Sequence, residues 1–428
     1  MIIKSSRMLA VVAIVMAVVA TTRPGRADDG FTAVKSSVRY RKIGVYDQKK
    51  LASILGDGLD AFLGGATMKR GDFKGGFAAP RYAVSLYEVQ FDSVVPEWGN
   101  EPTVSGGLLA IPEDGTTSHP LVSYQHGTVF GLDQVPTRPD NSFETQLTLA
   151  AFASQGYVVI ATDYFGLGDS RMEGRKGRAP NSFIVPESTV QAMLDHSRAS
   201  RAVLDSLGQR TPQLFLFGWS QGGWCTMQFL RRLESLDIPV TAAATVSAPV
   251  DVAAAFRRPL VDPRPQDAAW VKGCINNMIW AYEEYARMPG FATSAIKPEY
   301  LAASRRFYRG ELDWPSFNAG LPAAAPAMLQ PDFLRAAESG RGRFWETVDA
   351  VEAYRWKIRT PLRSYAGDAD EAIPAEISRV VTDFNRLLGG RMVESFSAGE
   401  RADHRGSFVQ ATLDVKRWFD GFVKPAAQ

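Results

Sequence analysis

Gln213-Leu214-Phe215-Leu216-Phe217-Gly218-Trp219-Ser220-Gln221-Gly222-Gly223 decides the fold. An apolar run ends in glycine, a lone serine stands between glycines, and an amphipathic segment begins at once. A Gly-x-Ser-x-Gly turn between a strand and a helix holds its serine in strained backbone geometry with the hydroxyl facing outward. The glycines are a steric demand, because a Cβ there would meet the neighbouring strand or the tight turn. Behind the turn, Trp224, Met227, Leu230 and Leu233 recur at helical spacing. The stretch therefore reads as strand, elbow and helix, with Ser220 presented as a nucleophile.

Working outward, residues 121–125 form a short apolar strand that runs into His126-Gly127-Thr128. Residues 157–161 form another, ending in Asp163-Tyr164-Phe165-Gly166-Leu167-Gly168. Between them a helical pattern passes through Phe143, Leu147, Leu149 and Phe152, and a further helix through Val190, Met193, Leu194, Val203, Leu204 and Leu207 precedes the Ser220 strand. Residues 241–246 make the strand after the Ser220 helix. Continuous apolar strands separated by helices predict an α/β fold, a mostly parallel central sheet with helices on both faces.

Further out the pattern changes. Residues 82–92 and 106–111 alternate like strands around a polar turn at 96–102, which predicts a hairpin. Residues 28–81 read as an N-terminal extension packed on the main domain. From 251 to 346 strand-helix alternation stops, and helix-like pieces carry Trp270, Met278, Trp280, Phe307, Trp314 and Trp345. That stretch reads as an inserted helical cap. The core, begun at 82–250, resumes over 347–428, with a strand at 361–366, a helix through Ile377, Val381 and Phe384, a last strand at 392–396, and a closing helix through Phe408 and Trp418.

The 428-residue chain has a net charge of +2, which gives no reason to expect nucleic acid as a partner. Lys4 and Arg7 precede an uncharged run over residues 8–20, and Gly25-Arg26-Ala27 offers small residues for cleavage. This predicts an export signal over residues 1–27, cut after Ala27 with Ala20 as a second point, and a periplasmic or secreted protein. The apolar run is too short to span a bilayer. Cys225 and Cys274 leave two readings open, a disulfide in an oxidising compartment or small buried side chains. No HExxH or CxxC spacing points to a structural metal.

A serine hydroxyl needs an adjacent base, and the base needs a carboxylate to fix its tautomer. Both must come from loops at the carboxyl ends of strands, the edge that carries Ser220. His404 fits as the base, in a loop after the last strand where a flexible turn can swing the imidazole inward. His126 reads as shaping the turn after its strand, His119 lies before its strand on the wrong edge, and His196 sits within a helix among polar neighbours. For the carboxylate, Asp370 in Gly367-x-x-Asp370-x-x-Ile373-Pro374 is preferred to its rivals Asp368, Glu371 and Asp251. An oxyanion needs N–H donors. Position assigns these to Gln221, at the start of the helix, and to Thr128, with Gly127 as the fallback.

With these residues in hand, the chain resembles the α/β-hydrolase superfamily over residues 82–422. The motifs that carry the likeness are His126-Gly127, Asp163-Tyr164-x-Gly166-x-Gly168, Gly218-x-Ser220-x-Gly222, Gly367-x-x-Asp370-x-x-Ile373-Pro374 and His404, in that order. It looks most like the exported lipase and carboxylesterase branch with a large helical cap. That resemblance implies a Ser-His-Asp hydrolase without cofactor, acting on small-molecule or lipid esters through an acyl-enzyme. Trp219 before the serine, where histidine is frequent, and the unmatched cap are its departures. A peptidase or amidase with the same triad, and a non-catalytic exported binding protein that keeps only the cleft, are the alternatives.

Overall fold

The computed structural model describes residues 30–172 and 178–423. The expected signal segment, residues 1–27, lies outside them. The unit spanning residues 32–428 carries every strand and helix named below.

Among the described residues, eleven strands form one sheet. In chain order they are β1 (Thr32–Lys35), β2 (Val38–Tyr46), β3 (Val84–Val95), β4 (Glu101–Pro112), β5 (Leu121–Gln125), β6 (Val158–Thr162), β7 (Arg171–Met172), β8 (Leu214–Trp219), β9 (Ala242–Val246), β10 (Leu362–Ala366) and β11 (Val393–Ser397). Their spatial order is β1-β2-β3-β4-β6-β5-β8-β9-β10-β11, with β7 paired to β4. From β6 to β11 all neighbours are parallel. From β1 to β6 along that order they are antiparallel. This is the α/β-hydrolase fold.

The apolar runs are continuous because both faces are covered. On β8, Leu214 and Leu216 enter one hydrophobic cluster, while Phe215 and Phe217 enter the other. The first cluster is closed by helices Pro186–Ser206 and Gln221–Ser235, the second by Phe143–Ala151 and His404–Asp420. Between β9 and β10 the chain is helical, with Val252–Val261, Val271–Tyr285, Pro298–Tyr308, Pro331–Ser339 and Arg343–Ala350 as the longer pieces.

Two local readings change. The segment over 28–81 is more than a packed extension: β1 and β2 add two antiparallel strands beside β3, so it widens the sheet itself. Its Leu51, Ile54, Leu59 and Leu63 also fill the second cluster. The hairpin forms, but β3 and β4 run longer than their alternation indicated. Gly99 and Asn100, both left-handed, turn the chain in a few residues.

Order along the sheet fixes where chemistry can happen. The chain goes outward from β5 to β6, then returns to place β8 on the other side of β5. At such a switch point the loops leaving neighbouring strands part and open a crevice at their carboxyl ends.

Candidate active site

Ser220 leaves β8 with φ 57° and ψ −124°. A β-carbon pays a cost of about 1–3 kcal/mol in such a region, so the surroundings must enforce it. They do so sterically. A Cβ on Gly222 would collide with the Gln125 carbonyl, and one on Gly218 with the Gly222 carbonyl. The Ser220 N–H donates to Val246 O at 2.8 Å, and its carbonyl accepts from Gly223 N at 2.9 Å, pinning the turn from both sides.

His404 comes from the far end of the chain. It is the first residue of the helix His404–Asp420 rather than part of a flexible turn, and Asp403 caps that helix by accepting from Gly406 N at 2.8 Å. Its Nδ1 lies 2.9 Å from Asp370 Oδ2 and 3.0 Å from Oδ1. With Nδ1 committed to the carboxylate, Nε2 is the nitrogen left for proton transfer. The ring stands between two indoles, with centroids 5.0 Å from Trp219 and 5.2 Å from Trp270.

Asp370 is held as firmly. Its Oδ1 accepts from the backbone N–H groups of Ala372 and Ile373, each at 2.9 Å. Burial alone would raise this carboxyl, but the charge and hydrogen bond of His404 bring it below its usual range. Burial alone would likewise depress His404, and the Asp370 carboxylate overcomes this to hold the imidazole above its ordinary value.

The rival carboxylates have other duties. Asp251 caps the helix Val252–Val261 by accepting from Ala254 N at 2.9 Å. Asp368 accepts from Ser397 Oγ at 2.5 Å and Arg379 Nη2 at 2.8 Å. Glu371 stays near the site but bonds the backbone N–H of His404, at 2.9 Å, not its ring. The other histidines are structural. His119 joins Asp114 and Thr116, and His126 stacks on Tyr164 with burial pulling it down to about 4. His196 lies within its helix as expected, with its side chain wholly buried and bonded to Thr162 Oγ1 at 3.0 Å, and burial lowers it to about 3.

Ser220 and His404 line one cavity of about 350 Å³ together with Thr128, Trp219, Trp270 and Glu371. Gln221 opens its helix, so its N–H has no acceptor within that helix. Thr128 lines the same cavity. Gly127 does not serve as the fallback donor, because its N–H is taken by Glu144 Oε2 at 2.7 Å.

Glu144 is the residue sequence reasoning missed. It lies on the helix Phe143–Ala151, is 7% exposed, lines the cavity, and also accepts from Tyr124 Oη at 2.7 Å. Burial pushes its carboxyl up to about 7, against the two hydrogen bonds and the nearby His404 charge. Phe62 was missed as well: it reaches the cavity from the N-terminal segment. Cys225 and Cys274 are both free and buried, which removes the disulfide reading. Among the described residues no group of three or more His, Cys, Asp or Glu side chains could hold a metal ion, and no helix is long and apolar enough to cross a membrane.

A family model described as the alpha/beta hydrolase family matches residues 126–411. Among curated proteins none matches the sequence. Among solved structures, a Legionella pneumophila protein named as a hydrolase superposes with a TM-score of 0.77 at 21% identity, covering 91% of this chain and 98% of its own. The rice cell wall degrading esterase LipA from Xanthomonas oryzae gives 0.72 at 20% identity, over 92% of this chain and 97% of its own. Candida antarctica lipase A gives 0.61 at 16% identity, over 80% and 79%. At these identities the likeness is one of fold.

Proposed function

The chain belongs to the alpha/beta hydrolase family, and from that premise we propose that it cleaves carboxylic esters with Ser220 as nucleophile, His404 as general base and then acid, and Asp370 as the carboxylate that orients it. The observation that carries this reading is the 2.9 Å contact between His404 Nδ1 and Asp370, with His404 itself lining the cavity that the strained Ser220 also lines. The named activities of the Xanthomonas oryzae and Candida antarctica neighbours, an esterase and a lipase, point the same way.

The steps follow from the groups present. Ser220 Oγ attacks the ester carbonyl while His404 Nε2 takes its proton. The oxyanion that forms is met by the main-chain N–H groups of Gln221 and Thr128; loss of one such donor costs about 10²–10³ in rate. His404 then gives the proton to the departing alcohol oxygen, leaving an ester on Ser220. A water, deprotonated by the same imidazole, attacks that ester, and His404 returns the proton to the departing Ser220 Oγ as the acid is released. Asp370 stays ionised throughout and stabilises the imidazolium.

Export remains part of the proposal. It rests on Lys4 and Arg7 ahead of the uncharged run at residues 8–20, with Ala27 as the cleavage point. N-terminal sequencing of the mature protein tests it; a chain still starting at Met1 would overturn it. For the reaction, the test is labelling by a serine-reactive fluorophosphonate together with turnover of acyl esters. Both are expected in the wild type and lost in Ser220→Ala, whose fold should persist. Undiminished turnover in that variant refutes the assignment.

A further inference from the structure

The space around Ser220 is divided. One cavity, of about 350 Å³, contains His404. A second, of about 30 Å³, contains Gln221 and lacks His404. Ser220, Thr128 and Trp270 line both, so the nucleophile and the rim of the oxyanion site stand at their junction.

Resting on the ester-hydrolase reading above, we propose that the narrow chamber takes the acyl group and the wide one the alcohol, making the substrates esters of a short acid with a bulky, ring-bearing alcohol. The assignment follows from where the proton must go. When the tetrahedral intermediate collapses, the alcohol oxygen leaves with the proton carried by His404. The alcohol therefore lies on the His404 side. The oxyanion points at the N–H groups of Gln221 and Thr128. The remaining substituent, the acyl chain, is left the side that Gln221 lines and His404 does not.

Chamber size and chemistry then set the substrate class. About 30 Å³ holds about two water-sized groups, which fits an acetyl or propionyl chain. Its walls are apolar: Phe183, Pro249, Phe256, Val271 and Ile373 contribute no charge. Phe256 and Val271 come from the helices Val252–Val261 and Val271–Tyr285, so the stretch inserted between β9 and β10 limits the chain length. Phe256 meets Phe183 edge to face at 6.3 Å, which braces this wall. The wide chamber carries the rings of Phe130, Phe143, Trp219 and Trp314 beside the polar Asn141 and Arg405, surfaces suited to a large ring that also bears polar groups.

Two isomers test the orientation on the unaltered enzyme: benzyl acetate, a short acid on a bulky alcohol, and methyl phenylacetate, the reverse. One misplaced methylene in an apolar pocket costs about 10–200-fold. kcat/KM should therefore favour benzyl acetate by about tenfold or more. Equal rates or a reversed preference overturn the chamber assignment while leaving the ester-hydrolase reading intact. If neither isomer nor p-nitrophenyl acetate is turned over and fluorophosphonate leaves Ser220 unmodified, the functional reading fails and this proposal with it. As a second arm, Phe256→Ala should raise the octanoate-to-acetate ratio of p-nitrophenyl ester kcat/KM by about tenfold. An unchanged ratio in a variant with wild-type melting behaviour refutes Phe256 as the limit.

Discussion

The main-chain N–H of Gly127 donates to Glu144 Oε2 across 2.7 Å, inside the wall of the cavity that exposes Ser220. One carboxylate oxygen thus anchors the residue immediately before Thr128, whose own N–H is the proposed second oxyanion donor. Through that bond Glu144 is expected to act on the reaction by holding the loop. Glu144→Ala should lower kcat by about 10–100-fold, short of the loss for a whole donor, with KM changed less. Glu144→Gln keeps an acceptor oxygen and should recover most of the rate. Steady-state kinetics on both variants check this; wild-type kcat in Glu144→Ala would show that the loop needs no anchor.

The pH dependence has a definite sign. His404 must be neutral to take the serine proton, and the Asp370 carboxylate holds its imidazole above the ordinary value. The acid limb of kcat/KM should therefore be centred above the unperturbed value of about 6.5. Asp370→Asn should drop kcat by about 10³–10⁴. If Asp251→Asn does so instead, the acid has been misassigned.

Stability should follow a different window from activity. Asp370 titrates below its unfolded value, so its contribution is present above about pH 4 and fades as pH falls through the folded value. His404 titrates above its unfolded value, so its contribution is full below about pH 6.5 and fades as pH rises through the folded value. Both are present together between about pH 4 and 6.5. The gap in Tm between wild type and Asp370→Asn should be widest there. A gap that grows steadily above pH 7 would contradict the pairing.

The elbow should tolerate no side chain. A Cβ on Gly222 would strike the Gln125 carbonyl of the neighbouring strand, which cannot move without breaking the sheet. Gly222→Ala should cost at least about 2 kcal/mol or yield no folded protein. At Gly65 a Cβ meets nothing within 4 Å, and Gly65→Ala should stay within about 0.5 kcal/mol of wild type. Denaturant unfolding of the pair makes the comparison.

Both cysteines should be silent toward thiol reagents in the folded protein. Burial pushes the thiols of Cys225 and Cys274 up to about 12, so little nucleophilic thiolate exists at neutral pH. Titration with an aromatic disulfide reagent should find no reactive thiol in buffer and two after denaturation without reductant. None after denaturation would mean the two are bonded.

Much of this was legible in the residues. The Gly218-Trp219-Ser220-Gln221-Gly222 elbow announced itself because its constraint is local and steric. Strands 121–125 and 241–246 read correctly because burial on both faces leaves continuous apolar runs. Other features left no such mark. Residues 32–35 and 38–46 look mixed because both strands are largely half-buried or exposed. His196 sits among polar helical neighbours in sequence, yet its side chain turns into the sheet. Glu144 resembles any acidic residue in a first helical turn.

Periodicity and tight-turn sterics act over a few residues, so the sequence alone determined the layered sheet and the kinked Ser220. Which N–H groups are free, and how the space beside Ser220 is partitioned, depend on side chains brought together from far apart in the chain: Phe62, Glu144, Phe256 and His404. Packing between such distant segments leaves no pattern along the chain, and only the tertiary structure could decide it.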